Sequence, residues 1–343
     1  MKFAIDDGST NVKVSWIEKG VLKTIISPNS FRKDWKSAAL RKDKKIYNYE
    51  IGNTKYTYDA TSDKSLATTH VEYQYDDLNL LSVHHALLQT GVTPCDVAIT
   101  VTLPITEYYN PDDCQKNEIK IAAKRKNLMR EISLNKGELF KIVDVEVMPE
   151  SLPAALSRLI GSGCNEFTKT LVIDCGGTTL DMGIIVGEFD DVSDVYGNNE
   201  IGVSMVTDAT RKALAAADSD SSYLVANEFI KRRHDMSFVR DVVNDESQIP
   251  KILEKMQNKI DELGSQVAHE AKKFAKNPNR VYLVGGGAPL IADALREAYA
   301  TLGDRVVLID NPQSALSREI CIYHAEEVAT EVASPVLLEV GNE

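Results

Sequence analysis

The chain has 343 residues, 43% of them apolar and 26% charged, which suits about two domains with large cores and removes any need for disulfide or metal staples. Its 39 Lys and Arg against 51 Asp and Glu leave a net charge of −12, so no general attraction to nucleic-acid phosphates or anionic lipid exists, and DNA contact would need a local basic patch or an adaptor protein. The five cysteines include no CxxC pair, a charge interrupts the first residues before a signal-peptide stretch could form, and no apolar run approaches the roughly 18–20 residues of a membrane span; a soluble, reduced, cytosolic protein is expected.

Residues 3–5 and 12–17 are predicted strands flanking a glycine-containing turn. Residues 32–65, rich in Lys, Asp, Tyr and Asn, read as a small inserted subdomain. Strand-like 45–51 and 54–58 there surround Gly52-Asn53, a fair two-residue hairpin turn. A helix is expected over about 78–90, and 97–103 is a β-branched strand ended by Pro104. His84-His85 lacks a Cys or carboxylate at ligand spacing, so no metal site is expected there. The tyrosines around 47–58 and 73–75 lack the basic interleaving of a nucleic-acid platform.

The next helix, about 115–131, carries Lys116, Lys120, Lys124, Arg125, Lys126 and Arg130. Such a run usually is a solvated face, with a neighbouring subunit or DNA as the alternative. Residues 142–148 form a strand ending at Pro149, and a helix follows over about 151–161. Further strands are expected at 171–173, 182–186, 281–284 and 306–309, with helices near 203–217, 250–276 and 288–302. In the longest helix, Ile252, Met256, Ile260, Leu263, Val267 and Phe274 share one face, a core-facing stripe rather than a partner coiled coil. Strands interleaved with helices make this an α/β protein. The tail 325–343 holds five Glu and no Lys or Arg. It reads as a loosely held extension or a final helix, with partial disorder favoured.

An internal repeat relates the halves. Residues 3–17 (FAIDDGSTNVKVSWI) align with 171–185 (LVIDCGGTTLDMGII) at a constant offset, 174 − 6 = 168. Three apolar residues precede Asp6 and Asp174. Gly8 matches Gly176, Ser9 matches Gly177, and Thr10 matches Thr178. Two such strand–turn–strand units would face one another across a cleft. A turn of Gly, Ser and Thr offers N–H groups and hydroxyls to an anion, so a matched pair could grip a polyphosphate from both sides. The aspartates become useful if Mg²⁺ lies between, usually through water. Lys13 could give a point charge to a β- or γ-phosphate. Taken singly, either turn would read as an ordinary hairpin.

Two other motifs join them. VYLVGGGAP at 281–289 runs a strand through three glycines into a helix start, suited to a phosphate or a purine–ribose face. It is not GxGxxG, and no GxxxxGK[ST] exists in the chain, so neither a Rossmann dinucleotide site nor a P-loop is expected. VMPESLPAA at 147–155 places Glu150 near a helix start. There it could orient or deprotonate a water attacking a γ-phosphate, or simply satisfy the helix dipole.

In this order the four elements resemble the actin/Hsp70/sugar-kinase superfamily. IDDGSTNVKVSW, ISPNSF, VHHALLQTGV, LPITEYY, VMPESLPA, IDCGGTTLD, IGVSMVT and SSYL are similar to the plasmid-segregation actins of the ParM (StbA) type. The resemblance implies an actin-like (ribonuclease H-like) duplicated fold, two domains around a central nucleotide cleft. Domain I would comprise 1–160 plus about 321–343, with an outer subdomain at about 32–94. Domain II would comprise 161–320, with its outer subdomain at about 195–275. Residues 311–343 would cross back to the first half.

The resemblance further implies that Asp6, Asp7, Gly8, Ser9, Thr10, Asn11 and Lys13 form a first phosphate loop, and Asp174, Gly176, Gly177, Thr178 and Thr179 a second. Glu150 and Asp174 would be catalytic, and Asp6 and Asp174 would serve the metal. Gly202, Gly285, Gly286, Gly287 and Ala288 would border the nucleotide. Cys175 and the stretch Ser317-Arg318-Glu319 depart from the superfamily's usual residues. ATP with Mg²⁺ is implied, and the Gly-rich motif fits GTP too. The implied function is an ATP-dependent filament that segregates plasmid DNA in the bacterial cytosol. Its partners would be other copies of the chain and a DNA-binding adaptor of the ParR type on a centromere-like site, with no direct DNA binding and no membrane. A small-molecule kinase is the alternative on this fold, but no sugar-binding run stands between the phosphate loops. A chaperone-type ATPase needs a further domain, for which the roughly 55 residues after the Gly-rich motif are too few.

Overall fold

Two five-stranded sheets are built on one plan. The computed structural model describes residues 1–37, 45–60, 65–68, 70–110 and 112–333. Its first half holds β1 (Lys2–Asp7), β2 (Asn11–Glu18), β3 (Val21–Pro28), β4 (Phe31–Lys33), β5 (Asn48–Ile51), β6 (Thr54–Tyr58), α1 (Asp77–Gln89), β7 (Asp96–Leu103), α2 (Ile105–Tyr108), α3 (Glu118–Leu128), β8 (Ser133–Leu134), β9 (Lys141–Pro149) and α4 (Leu156–Leu159). The second half holds β10 (Lys169–Cys175), β11 (Leu180–Val186), β12 (Asp191–Asn198), α5 (Ser204–Ala215), α6 (Tyr223–Lys231), α7 (Met236–Val242), α8 (Ile249–Phe274), β13 (Arg280–Val284), α9 (Ala288–Ala298), β14 (Val306–Leu308) and α10 (Ala315–Ala333).

The sheet orders are β3-β2-β1-β7-β9 and β12-β11-β10-β13-β14. In each, three strands form an antiparallel meander and the remaining two join in parallel. The sequence repeat is therefore a repeat of topology. Register preserves it: Asp6 faces Lys13 across the first hairpin, and Asp174 faces Asp181 across the second.

A third, four-stranded sheet, β4-β6-β5-β8, contains the expected hairpin, with Ile51 opposite Thr54 and Gly52 at φ +57. Positions 38–44 and 61–64 of the expected insertion lie outside the described residues. Helix α1 packs on the larger sheet, against β3 and β2. Helix α8 starts with Pro250 in its first turn and buries Ile252, Met256, Ile260, Leu263 and Val267 against α5 and α9, so its stripe faces the core. Phe274 is only partly buried. The helix expected over 151–161 begins as a 3-10 turn, Leu152–Ala155, before α4. Among the described residues, no helix is long and apolar enough to cross a membrane.

Each half has its own apolar core. A third cluster joins them: Ala4, Ile105, Leu152 and Leu159 meet Val172, Ile185, Tyr282 and Val284, with Leu316 and Ile320 of α10. Thus α10 leaves the second half and packs on β1 and β2. Ser317 joins Ser15 by a 2.9 Å hydrogen bond there. The tail is helical through Ala333; 334–343 lie outside the described residues.

The basic run on α3 divides. Lys120 pairs with Glu107, Arg125 with Asp144 and Arg130 with Asp77 at the surface. Lys124 instead turns inward and is fully buried, which corrects the reading of the whole run as a solvated face.

Both histidines of α1 are core residues. His85 shares a 2.8 Å hydrogen bond with the Tyr49 hydroxyl and stacks on Tyr58. Among the described residues His84 Nδ1 has no hydrogen-bond partner. Burial pushes their pKa values down, to about 4 for His84 and about 3 for His85. An unfolded histidine titrates near ~6.5, so below that pH the unfolded chain binds protons that the folded chain refuses. The stability of the neutral imidazoles is present above about pH 6.5 and is lost as pH falls towards those values. His84→Leu is accordingly expected to gain about 2 kcal/mol more over wild type at pH 5 than at pH 7. Urea unfolding of both chains at both pH values measures this, and a pH-independent difference refutes the buried neutral imidazole.

Candidate functional site

Both hairpin turns sit at the ends of their sheets nearest each other. In the first, Gly8-Ser9-Thr10 links β1 to β2. Asn29 steadies it, its amide donating to the carbonyls of Gly8 at 3.0 Å and Ser9 at 2.8 Å and to the Tyr73 hydroxyl. In the second, the Gly176 N–H donates to Thr179 O at 2.8 Å. The turns meet: Ser9 Oγ lies 3.4 Å from Thr178 Oγ1. A Cβ on Gly177 would come within 2.8 Å of the Thr10 methyl, so a side chain there would force the turns apart.

Glycine also lets the Gly-rich motif and the start of α5 close on the second turn. The N–H of Ser204 donates to Gly177 O at 2.7 Å, and a Cβ on Gly202 would strike the Thr178 backbone at 2.8 Å. The Gly287 N–H donates to Cys175 O at 2.8 Å. At φ +87, Gly285 lies so close to the Asp174 carboxylate that a Cβ would fall 2.1 Å from Oδ1. Gly286 borders Gln313 without crowding.

Four carboxylates surround this junction. Lys13 pairs with Asp6 at 3.0 Å. Burial pushes the Asp6 carboxyl up, with Lys13 opposing. Burial draws Lys13 down, but Asp6, Asp174 and Glu150 more than offset it, and the ammonium is held above its usual range. Asp174 is pushed up to about 6, by burial and then by Asp6. Asp181 is pushed up to about 7, by burial and then by Asp174. Glu150 is raised well above the usual carboxylate range, by burial and then by Asp181, Asp6 and Asp174. Its N–H donates to Leu103 O at 2.7 Å, fixing it where β9 leaves β7.

Three predicted residues are placed differently from the rest. Asp7 is fully buried behind the turn. It pairs with Lys124 and accepts from Asn79 Nδ2 at 2.6 Å and from the Thr102 N–H at 3.0 Å. Ala288 belongs to the core of the second half. The Asn11 amide donates to Thr10 Oγ1 at 3.3 Å and so supports the loop. The other predicted residues gather at the junction, with Thr179 closing the second turn.

Sequence reasoning missed two parts. Asp181 stands where the offset puts the counterpart of Lys13 (181 − 13 = 168), inside the aligned segment 171–185, and comparing that pair of positions would have found it. A cleft of about 580 Å³ beside Ile201 is lined by Asn198, Glu200, Met205, Glu262, Ser265, Gln266, His269 and Glu270. Its wall on α8 is the polar face, legible as i, i+4 spacing at 262, 266 and 270.

The junction fits Mg²⁺ in one respect. Asp6, Glu150, Asp174 and Asp181 gather around Lys13, which is paired with Asp6, and burial first, then repulsion from neighbouring carboxylates, raises their pKa values. Among the described residues no three His, Cys, Asp or Glu side chains are grouped to chelate a metal directly. The donor set therefore suits a hydrated ion held through water and phosphate oxygens.

A family model described as plasmid segregation protein ParM, N-terminal, matches residues 1–160, and one described as plasmid segregation protein ParM, C-terminal, matches 164–323. No curated protein matches the sequence. Among solved structures, the archaeal actin homologue Ta0583 in complex with ADP is 18% identical, with 94% of this chain and 99% of that one covered and a TM-score of 0.66. A 15-stranded ParM filament from Clostridium botulinum is 15% identical over 95% and 99% of the two chains, with a TM-score of 0.67. Bacillus thuringiensis ParM with ATP is 15% identical over 95% and 98%, with a TM-score of 0.63. At these identities the structural likeness establishes an actin-like fold.

Proposed function

This chain belongs to the ParM family of plasmid segregation proteins, and from that premise we propose an ATPase that polymerises with ATP and Mg²⁺ and disassembles after hydrolysis. The observation that carries the reading is the contact of the two phosphate-type turns, Gly177 against Thr10 and Ser9 beside Thr178. Anion-binding N–H groups and hydroxyls from both halves converge on one point, so a triphosphate there would hold the halves together.

In this reading the triphosphate lies between Gly8–Thr10 and Gly176–Thr179, with Lys13 near a β- or γ-oxygen. Bound Mg²⁺ would neutralise phosphate charge, with Asp6 and Asp174 holding its water shell. Glu150 orients the attacking water and takes its proton, its carboxylate made more basic by burial and by Asp181. Gly202 and Gly285–Gly287 border the nucleoside. The carboxylates of the 580 Å³ cleft would accept hydrogen bonds from ribose hydroxyls. Loss of the γ-phosphate removes what bridges Ser9 and Thr10 to Gly177 and Thr178, and the closed arrangement loses its advantage.

The proposed domain division is 1–160 with about 321–343, and 161–320. The chain would work in the bacterial cytosol, with DNA reached through a ParR-type adaptor because its own charge of −12 opposes DNA. Light scattering and sedimentation with ATP-Mg²⁺ test the proposal. Assembly that persists with a non-hydrolysable analogue and decays once ATP is consumed supports it. No nucleotide-dependent pelleting, with ADP formed only when a sugar is added, replaces it with a small-molecule kinase.

A further inference from the structure

The backbone at Ser151 is unusual. It sits at φ +70 and ψ −64, the centre of a three-residue turn closed by the Leu152 N–H donating to Glu150 O at 2.8 Å. A residue with a Cβ is strained in this left-handed γ-turn, which glycine would adopt freely. Strain of this kind persists only where the surroundings enforce it, and it clusters at functional sites. Here the surroundings do enforce it. Ser151 is fully buried, Glu150 on one side is tied to the end of β7, and Leu152 on the other is seated on Gly183 of β11. A Cβ at Gly183 would lie 2.6 Å from Leu152 Cδ2.

The hydroxyl gives a reason for serine in place of glycine. Ser151 Oγ donates to Asp174 Oδ2 at 3.3 Å, and Gly285 presses on the opposite oxygen, Oδ1. One residue of the first half thus touches a carboxylate of the second while forming the turn that carries Glu150. We infer that Ser151 is a positioning residue for nucleotide hydrolysis: its strained turn sets the direction of Glu150, and its hydroxyl holds Asp174 in register with it. This rests on the ATPase reading above and names the device that keeps the two acids aligned across the halves.

The test uses full-length wild type, Ser151→Ala, Ser151→Gly, Glu150→Ala and the double variant Glu150→Ala/Ser151→Ala. Three quantities are measured: the unfolding midpoint without nucleotide, the affinity for a fluorescent non-hydrolysable ATP analogue with Mg²⁺, and single-turnover ATP hydrolysis at saturation. Ser151→Ala is expected to slow hydrolysis roughly tenfold to a hundredfold, the effect of a small misplacement of a catalytic group, with affinity changed less than about twofold. Ser151→Gly releases the backbone strain, so its midpoint should equal or exceed that of Ser151→Ala, yet it should hydrolyse as slowly because the hydroxyl is gone. If Ser151 acts through Glu150, the double variant is no slower than Glu150→Ala alone.

Wild-type rates in both Ser151 variants overturn the role. So do losses that multiply in the double variant, or a rate that falls only in step with affinity. Should Ser151→Ala fail to fold, the glycine variant decides the matter. A wild-type chain that does not hydrolyse ATP overturns the ATPase reading and this role with it, an outcome distinct from an active wild type with indifferent Ser151 variants.

Discussion

Glu150→Ala is expected to slow ATP hydrolysis by about 10²–10⁴-fold, the usual range for loss of a positioned general base, while leaving ATP-dependent assembly intact. In barrier terms that is about 3–5 kcal/mol. The size follows from placement. Glu150 has its backbone pinned to Leu103 O and its carboxyl among Asp6, Asp174 and Asp181. Assembly should survive because the turns that would grip the triphosphate, Gly8–Thr10 and Gly176–Thr179, do not depend on that side chain. Filaments of the variant should therefore outlast those of wild type under limiting ATP. Phosphate release and light scattering followed in one sample measure both effects. Wild-type hydrolysis in the variant would remove Glu150 from the chemistry, and loss of assembly would give it a structural role.

Lys124→Met should destabilise the fold by about 3–5 kcal/mol, since removing one partner of a buried ion pair strands the other charge. Both side chains of the Lys124–Asp7 pair are 0% exposed, so solvent cannot compensate. The ammonium also meets Gln74, and Asn79 Oδ1 at 3.1 Å, which ties the segment before α1 and α1 itself to the strand carrying the first turn. Burial draws the Lys124 pKa down and Asp7 opposes this, as expected of a charge kept in the interior by its partner. Against a typical total of about 5–15 kcal/mol, the loss is large. Adding Asp7→Asn should recover part of it, because the stranded charge is gone. Guanidinium unfolding of the single and double variants measures both effects. A loss under about 1 kcal/mol in Lys124→Met would show that Asp7 finds other solvation.

Why some features were legible and others not has physical causes. The duplicated hairpins were plain because Asp, Gly and Thr recur at fixed spacing where the backbone turns sharply. Strand 97–103 was plain because both its faces are buried. The edge strands β3 and β12 were missed: β12 reads DVSDVYGN and is mostly solvated, so it lacks an apolar signature. The short helices α6 and α7 are too brief for periodicity to stand out. At the site, the same reading that found Asp6 treated Asp7 as its equal. Strand alternation sends adjacent side chains to opposite faces, and Asp7 faces the interior and Lys124. A helix-periodic basic run cannot reveal which of its members has a buried acid opposite, since that acid lies 117 residues away. The α8 groove was overlooked for a related reason. An apolar stripe announces the core, but a polar face becomes a wall only once another element stands opposite.

The exchange of Lys13 for Asp181 has a consequence for orientation. A cradle made by duplicating one hairpin has an approximate twofold character, and a perfectly duplicated cradle would accept an elongated anion in two opposed senses with equal affinity. Here the equivalent positions hold a lysine and an aspartate, the first suited to attract phosphoryl oxygens and the second, where ionised, to repel them. In the proposed complex this exchange would help lift the degeneracy, and the polar groove flanking the second hairpin would act in the same sense. A triphosphate bound as proposed would thereby be given a head and a tail within a frame that has few of its own.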